Sequence, residues 1–131
     1  MPKVTRVVII GGGPGGYEAA LVGRRLGGEV TLIESHGMGG SAVLTDCVPS
    51  KTLIATAEVM TDVRQSADLG LRFGPDDQDD VYAGVRVQLP AVNERVLDLA
   101  RQQSCDITER LQREGINLVL GHGRLDGPDR V

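Results

Sequence analysis

Six consecutive residues, Gly11-Gly12-Gly13-Pro14-Gly15-Gly16, constrain the fold more than any other part of the chain. Five glycines and a proline sit poorly inside a strand or a helix, yet strong element formers flank them. Val4 to Ile10 is a short, β-branched, mostly apolar run that reads as a buried parallel strand. Pro14 suits the first turn of a helix, where a missing N–H costs nothing, and Tyr17 to Leu26 continues that helix until Gly27-Gly28 stops it. Val30 to Ile33 is a second strand of the same type. Strand, helix and strand within about thirty residues make one βαβ unit, whose crossover rule predicts parallel neighbours.

The pattern then continues more loosely. Gly37 to Gly40 reads as a turn, and Pro49 to Gln65 has helical character, with Leu53, Ala57 and Met60 at helical spacing. Gly74 to Asp80 is a polar run without the alternating ligands, central glycine and later glutamate of a calcium loop, so a solvated loop is expected. Pro90 opens a further helix with Val92, Val96, Leu99, Ile107 and Leu111 on or near one face. Ile116 to Leu120, between two glycines, is a third apolar strand. The fold class predicted is α/β, Rossmann-like, with a parallel sheet.

Composition removes several functions. The 131 residues carry a net charge of −4, two tyrosines, one phenylalanine and no tryptophan. That leaves neither a basic footprint nor stacking platforms for nucleic acid. Two cysteines, Cys47 and Cys105, cannot build a secreted-type disulfide framework. The first residues do not resemble a signal peptide, and no stretch reaches the length of a transmembrane span. A cytoplasmic protein is expected.

Gly11, Gly13 and Gly16 fit G-x-G-x-x-G, a weak signal alone but here placed between strand and helix. Gly11 permits the tight turn, Gly13 lets the backbone approach a pyrophosphate, and Gly16 lets helix and strand pack closely. Pro14 and Gly15 open the helix whose N-terminus faces the phosphates. Glu34, eighteen residues after Gly16 at the end of the second strand, is placed to accept hydrogen bonds from an adenosine ribose, with Ser35 beside it. Ala20 and Gly27 occupy the small-residue positions of the extended pattern. A carboxylate here disfavours a 2′-phosphate and leaves NAD and FAD both open.

The next segment, Gly39-Gly40-Ser41-Ala42-Val43-Leu44-Thr45-Asp46-Cys47-Val48-Pro49-Ser50-Lys51, resembles the redox segment of the flavoprotein disulfide reductases, G-G-T-C-x-N-x-G-C-x-P-S-K. The resemblance covers essentially the whole chain. It implies that the first dinucleotide unit holds FAD, with the cysteine-bearing helix beside the isoalloxazine and NAD(P)H as co-substrate. It implies contacts from Gly40 and from Ser41, whose hydroxyl replaces the usual threonine. Lys51, one turn beyond Cys47, matches a lysine that approaches the flavin N5 region. Gly121-His122-Gly123 matches a position where backbone groups meet the adenine, so His122 is expected to act through its backbone, and Gly123 with it. His36 is assigned no chemistry.

One departure outweighs the match. The first family cysteine falls on Ala42, and only Cys47 is kept. Thiol–disulfide exchange needs an attacking thiolate and a partner sulfur, and alanine supplies neither. Cys105, far along a helical stretch, is not expected to replace it. Cys47 is then either a thiol set against the flavin and tuned by a helix N-terminus, or a small buried hydrophobe left from a dithiol ancestor. The run A-V-L-x-D-C-V-P-S-K, with the first cysteine lost, is similar to the mycobacterial-type NAD(P)H quinone reductase branch of the family.

The resemblance also implies a longer protein. Residues 1–131 correspond to the N-terminal part of a FAD-binding domain, truncated within it, and the NAD(P)H-binding and dimerisation domains are absent from this chain. The expected full-length activity passes hydride from NAD(P)H through FAD to a quinone in a homodimer, and the fragment alone is expected to be inactive. Two alternatives stand beside it. One is a soluble pyridine nucleotide transhydrogenase, although that enzyme usually keeps the first cysteine. The other is a non-catalytic FAD-binding or redox-sensing module.

Overall fold

The computed structural model describes residues 4–71 and 85–131. The polar run Gly74 to Asp80 lies outside the described residues. Three strands form one parallel sheet in the order β1 (Arg6–Ile10), β2 (Glu29–Glu34), β3 (Asn117–Leu120). Helix α1 (Pro14–Arg25) connects the first pair, as the βαβ reading requires. It begins on Pro14 and ends where the Gly28 N–H bonds the Gly23 carbonyl and the Gly27 N–H bonds that of Arg24. Gly27 takes a left-handed φ of 85° there, so the glycine pair stops the helix through a Schellman closure.

Pleating sorts the strands into two faces. Val30 and Leu32 of β2 point to the inner face, where Val7, Ile9 and Leu118 join them by register. Ala20 and Leu21 of α1 and Leu111 of the long helix α4 (Leu89–Arg113) cover that face. The resulting core includes Met38 and Ile116 and contains Leu21, Leu32 and Leu111 almost fully buried. Val8 and Ile10 lie on the other face and are exposed. Sequence pattern reads β1 as a buried strand; among the described residues no element covers the face of Val8 and Ile10.

Between β2 and α4 the chain makes a five-residue helix, α2 (Gly40–Leu44), and then α3 (Cys47–Gln65). The sequence reading missed α2 and began α3 two residues late, because Pro49 looked like its start. Pro49 is the third residue of the first turn, where N–H groups have no helical partner, so it is tolerated there. Helix α3 closes through a 3-10 turn at Ser66–Leu69.

The second half of α3 lies beside the start of α4, and α2 packs against both helices. The contact faces differ from expectation. On α3, Val48, Thr52, Thr56, Met60 and Val63 are half-buried, whereas Leu53 and Ala57 are exposed. On α4, Ala100 is buried and Leu99 is 42% exposed. Met60 on α3 and Val92, Val96, Ile107 and Leu111 on α4 lie on the packed side as expected, whereas Leu53, Ala57 and Leu99 each fall one position from it.

Candidate functional site

The glycine loop turns where β1 ends. Gly11 has φ 101°, a conformation open to glycine, and its N–H bonds the Ile33 carbonyl at 2.8 Å. Gly16 faces the back of the same turn. A Cβ on it would lie 1.8 Å from the Gly11 carbonyl oxygen, so no larger residue fits. Gly13 faces outward, and a Cβ there would meet nothing within 4 Å. Helix geometry leaves the N–H groups of Gly15 and Gly16 without a partner inside α1. Together with the positive end of the helix dipole, they face the open side of the loop.

Glu34 ends β2 under this loop and is 9% exposed. Its Oε2 accepts the Gly12 N–H at 2.6 Å, and its Oε1 accepts the N–H groups of Ser35 at 2.8 Å and His36 at 2.9 Å. Burial works against the charge. The N–H groups of Gly12, His36, Ser35 and Gly37 outweigh it and hold the carboxyl below its ordinary range. The carboxylate is ionised at neutral pH and caged by backbone.

Beyond Glu34 the three strand ends enclose a small cleft of about 110 Å³, lined by Ile10, Gly11, Ile33, Glu34, Ser35, Gly121, His122 and Gly123. A Cβ on Gly123 would come within 3.0 Å of Ile10 and 3.1 Å of Ile33, so this glycine lets the chain cross the strand ends closely. The cleft sits at the carboxyl ends of parallel strands, where open α/β sheets take their ligands. Two imidazoles meet at its edge: the rings of His36 and His122 are 6.5 Å apart, edge to face, and His36 Nδ1 lies 2.8 Å from Ser35 Oγ. Sequence reasoning gave His36 no part. Its position two residues beyond a strand-end carboxylate was the available signal.

The flavin-like segment continues from the other side of the loop. The Gly39 N–H bonds the Gly12 carbonyl at 2.8 Å, and Gly40 packs so tightly on Gly13 that an added Cβ would lie 3.0 Å from the Gly13 Cα. Ser41 follows directly on α2, with Ala42 half-buried and Val43 buried. Cys47 is the first residue of α3 and is free and exposed, as is Cys105 on α4. Of the two readings of Cys47, its exposure in this chain fits a reachable thiol better than a buried hydrophobe. Lys51 stands one turn on, exposed. Neither Cys47 nor Lys51 lines the strand-end cleft. The site has two parts joined by the glycine loop: the cleft at one end and α2 with the start of α3 at the other.

This arrangement fits an extended dinucleotide. The open space over Gly13 and the α1 N-terminus suit a pyrophosphate, the strand-end cleft is placed for one nucleoside, and α2 leads toward the other. Among the described residues there is no cluster of three metal-ligating side chains, and no helix is long and apolar enough to cross a membrane. Fold and loop together define a dinucleotide-binding unit of the Rossmann-like kind.

Comparison with known proteins places that unit in a family. The family model described as pyridine nucleotide-disulphide oxidoreductase matches residues 5–131. The chain is 46% identical over 125 residues to an NAD(P)H dehydrogenase (quinone) of Mycobacterium tuberculosis, covering 93% of this chain and 24% of that protein. It is 33% identical over 129 residues to dihydrolipoyl dehydrogenase 2 of Haloarcula marismortui, covering 97% of this chain and 25% of the relative. The crystal structure of LpdA from Mycobacterium tuberculosis superposes with a TM-score of 0.82 at 42% identity, covering 95% of this chain and 25% of that one. The chain belongs to the pyridine nucleotide-disulphide oxidoreductase family. FAD is the cofactor of this family, with NAD(P)H as its nicotinamide partner. The chain spans about a quarter of the length of these relatives.

Proposed function

We propose that the protein containing this chain is an FAD-dependent NAD(P)H oxidoreductase that delivers electrons to a quinone without a disulfide relay. In it, residues 1–131 form the N-terminal part of the FAD-binding domain, and the complete protein works as a homodimer in the cytoplasm. The observation that carries the acceptor assignment is Ala42 on α2, standing where a dithiol partner would be, with Cys47 and Cys105 both free. The name of the Mycobacterium tuberculosis relative, NAD(P)H dehydrogenase (quinone), supports the same acceptor class.

When bound, FAD supplies the two-electron chemistry; the protein supplies binding and electrostatics. The N–H groups of Gly13, Gly15 and Gly16, with Pro14 opening the helix, hold the pyrophosphate. The outward side of Glu34 Oε2 accepts from the adenosine ribose. Ser35, His122 and Gly123 border the adenine through backbone atoms. Gly40 and Ser41 carry the phosphate contact toward the flavin half. Lys51 would favour negative charge near the flavin N5 region, and Cys47, the first residue of α3, would face the ring from the positive end of that helix.

The test is a steady-state comparison of acceptors with the full protein. Menadione should be reduced by NAD(P)H, and lipoamide and thio-NAD should not. Robust lipoamide turnover would refute the missing relay, and rapid reduction of thio-NAD with no quinone turnover would move the assignment to a transhydrogenase.

A further inference from the structure

We infer that Glu34 is a positioning residue that holds the phosphate loop in its binding shape before any ligand arrives, and that this role outweighs its contact with a ribose. The inference rests on the cofactor reading above. Its basis is where the carboxylate's acceptor sites are spent. A carboxylate offers about four. Ser35 and His36 N–H groups take Oε1, and the Gly12 N–H takes Oε2 at 2.6 Å. The Gly37 N–H also favours the carboxylate, so backbone claims most of its acceptor capacity and leaves room for no more than one ribose hydroxyl.

Gly12 is what this carboxylate pins. Its N–H is turned inward to Glu34, so it cannot serve a phosphate. Its carbonyl accepts the Gly39 N–H at 2.8 Å. The residue is wedged from below: an added Cβ would lie 2.9 Å from Met38 Sδ and 3.1 Å from both Glu34 Cβ and Cγ. Gly12 thus joins β2, the phosphate loop and the entry to α2, and its neighbour Gly13 faces the space for the ligand. The same cage needs a charge. In a glutamine, the amide nitrogen would turn a donor toward the backbone N–H groups on one side or the other.

The experiment measures FAD and an FAD analogue lacking both adenosine ribose hydroxyls, each binding to the apo form of the full protein, wild type and Glu34→Gln. Positioning predicts that Glu34→Gln weakens both ligands by the same factor, tenfold or more. If the variant weakens FAD but leaves the analogue unchanged, Glu34 is a ribose anchor and the inference is overturned. Two measurements on the wild type stand even if the variant fails to fold. The analogue should bind within about a hundredfold of FAD, since no more than one hydrogen bond to a charged group is at stake; a larger loss would overturn the inference. In apo protein the Gly12 amide proton should resonate far downfield and shift as Glu34 titrates; an ordinary, pH-independent position would also overturn it. Failure of the wild type to bind FAD at all would instead remove the cofactor reading itself.

Discussion

At the residue scale, Glu34 ties acid stability to cofactor retention. Its folded pKa lies below the ordinary value of 4.5 because backbone N–H groups outweigh its burial. A carboxyl of this kind contributes stability above its unfolded pKa and loses it as pH falls through the lower folded value. Thermal unfolding of the apo protein should therefore decline on the acid side of 4.5. In Glu34→Gln that acid limb should be flatter, and an identical pH profile would show that the cage stores no such energy. Removing the side chain is harsher. Loss of a hydrogen bond to a charged group costs roughly 1.5–3 kcal/mol, so Glu34→Ala should weaken FAD retention by tens of fold. Unchanged flavin content in purified variant would count against any role at this site. Gly16 permits no substitution at all, since a Cβ would meet the Gly11 carbonyl at 1.8 Å.

At the element scale, packing rather than composition picked the buried stripes of the two long helices. Both α3 and α4 carry more apolar residues than one face can hold, and Leu53, Ile54 and Val59 of α3 are all more than half exposed. On α4 the buried line runs through Val96, Ala100 and Leu111, with Ser104 half-buried between them. The small side chain of Ala100, 2% exposed, lets neighbouring elements approach. Ala100→Leu should destabilise by about 1–3 kcal/mol through overpacking, whereas Leu99→Ala, next door on the exposed side, should cost about 1 kcal/mol or less. Denaturant unfolding of the two variants decides the face; a larger loss for Leu99→Ala would restore the hydrophobicity-based stripe. Helix α2, at five residues, owes its place to Val43 burial and to the Gly40–Gly13 contact rather than to its own propensity.

At the scale of the whole molecule, the proposed function divides the work between the two parts of the site. On that proposal the cleft and loop would retain the cofactor, and α2 and the start of α3 would meet its reactive half. Two variants of the full protein separate these roles. Lys51→Ala should leave FAD bound and slow flavin reduction by NAD(P)H in stopped-flow measurements; wild-type rates would make Lys51 a surface residue only. On the proposed route Cys47→Ser should leave quinone turnover within a few-fold of wild type, since no exchange step would use that sulfur. A collapse of turnover with flavin still bound would show that Cys47 carries electrons. Restoring the second thiol by Ala42→Cys could close a bridge if the geometry permits, but disulfide turnover also requires an acid–base pair that a cysteine cannot provide.

The βαβ unit, the glycine loop and the acidic strand end were legible because each rests on local rules. Backbone sterics place Gly11 in its turn, Pro14 starts a helix wherever one begins, and Gly27-Gly28 ends it. The flavin-like segment was legible because the spacing of Ser41, Ala42, Cys47 and Lys51 is itself the signal. What pattern could not supply were the choices that depend on what lies across the chain. The burial of Met38 beneath Gly12 and the exposure of Leu99 against the burial of Ala100 follow from which elements meet. So does the meeting of His36 with His122, which are distant in sequence and brought together when β3 pairs with β2. Glu34 shows the boundary most clearly. Sequence position alone marked it as a carboxylate facing a ribose. Only the folded backbone, closing four N–H groups around it, turned most of its hydrogen-bonding capacity inward.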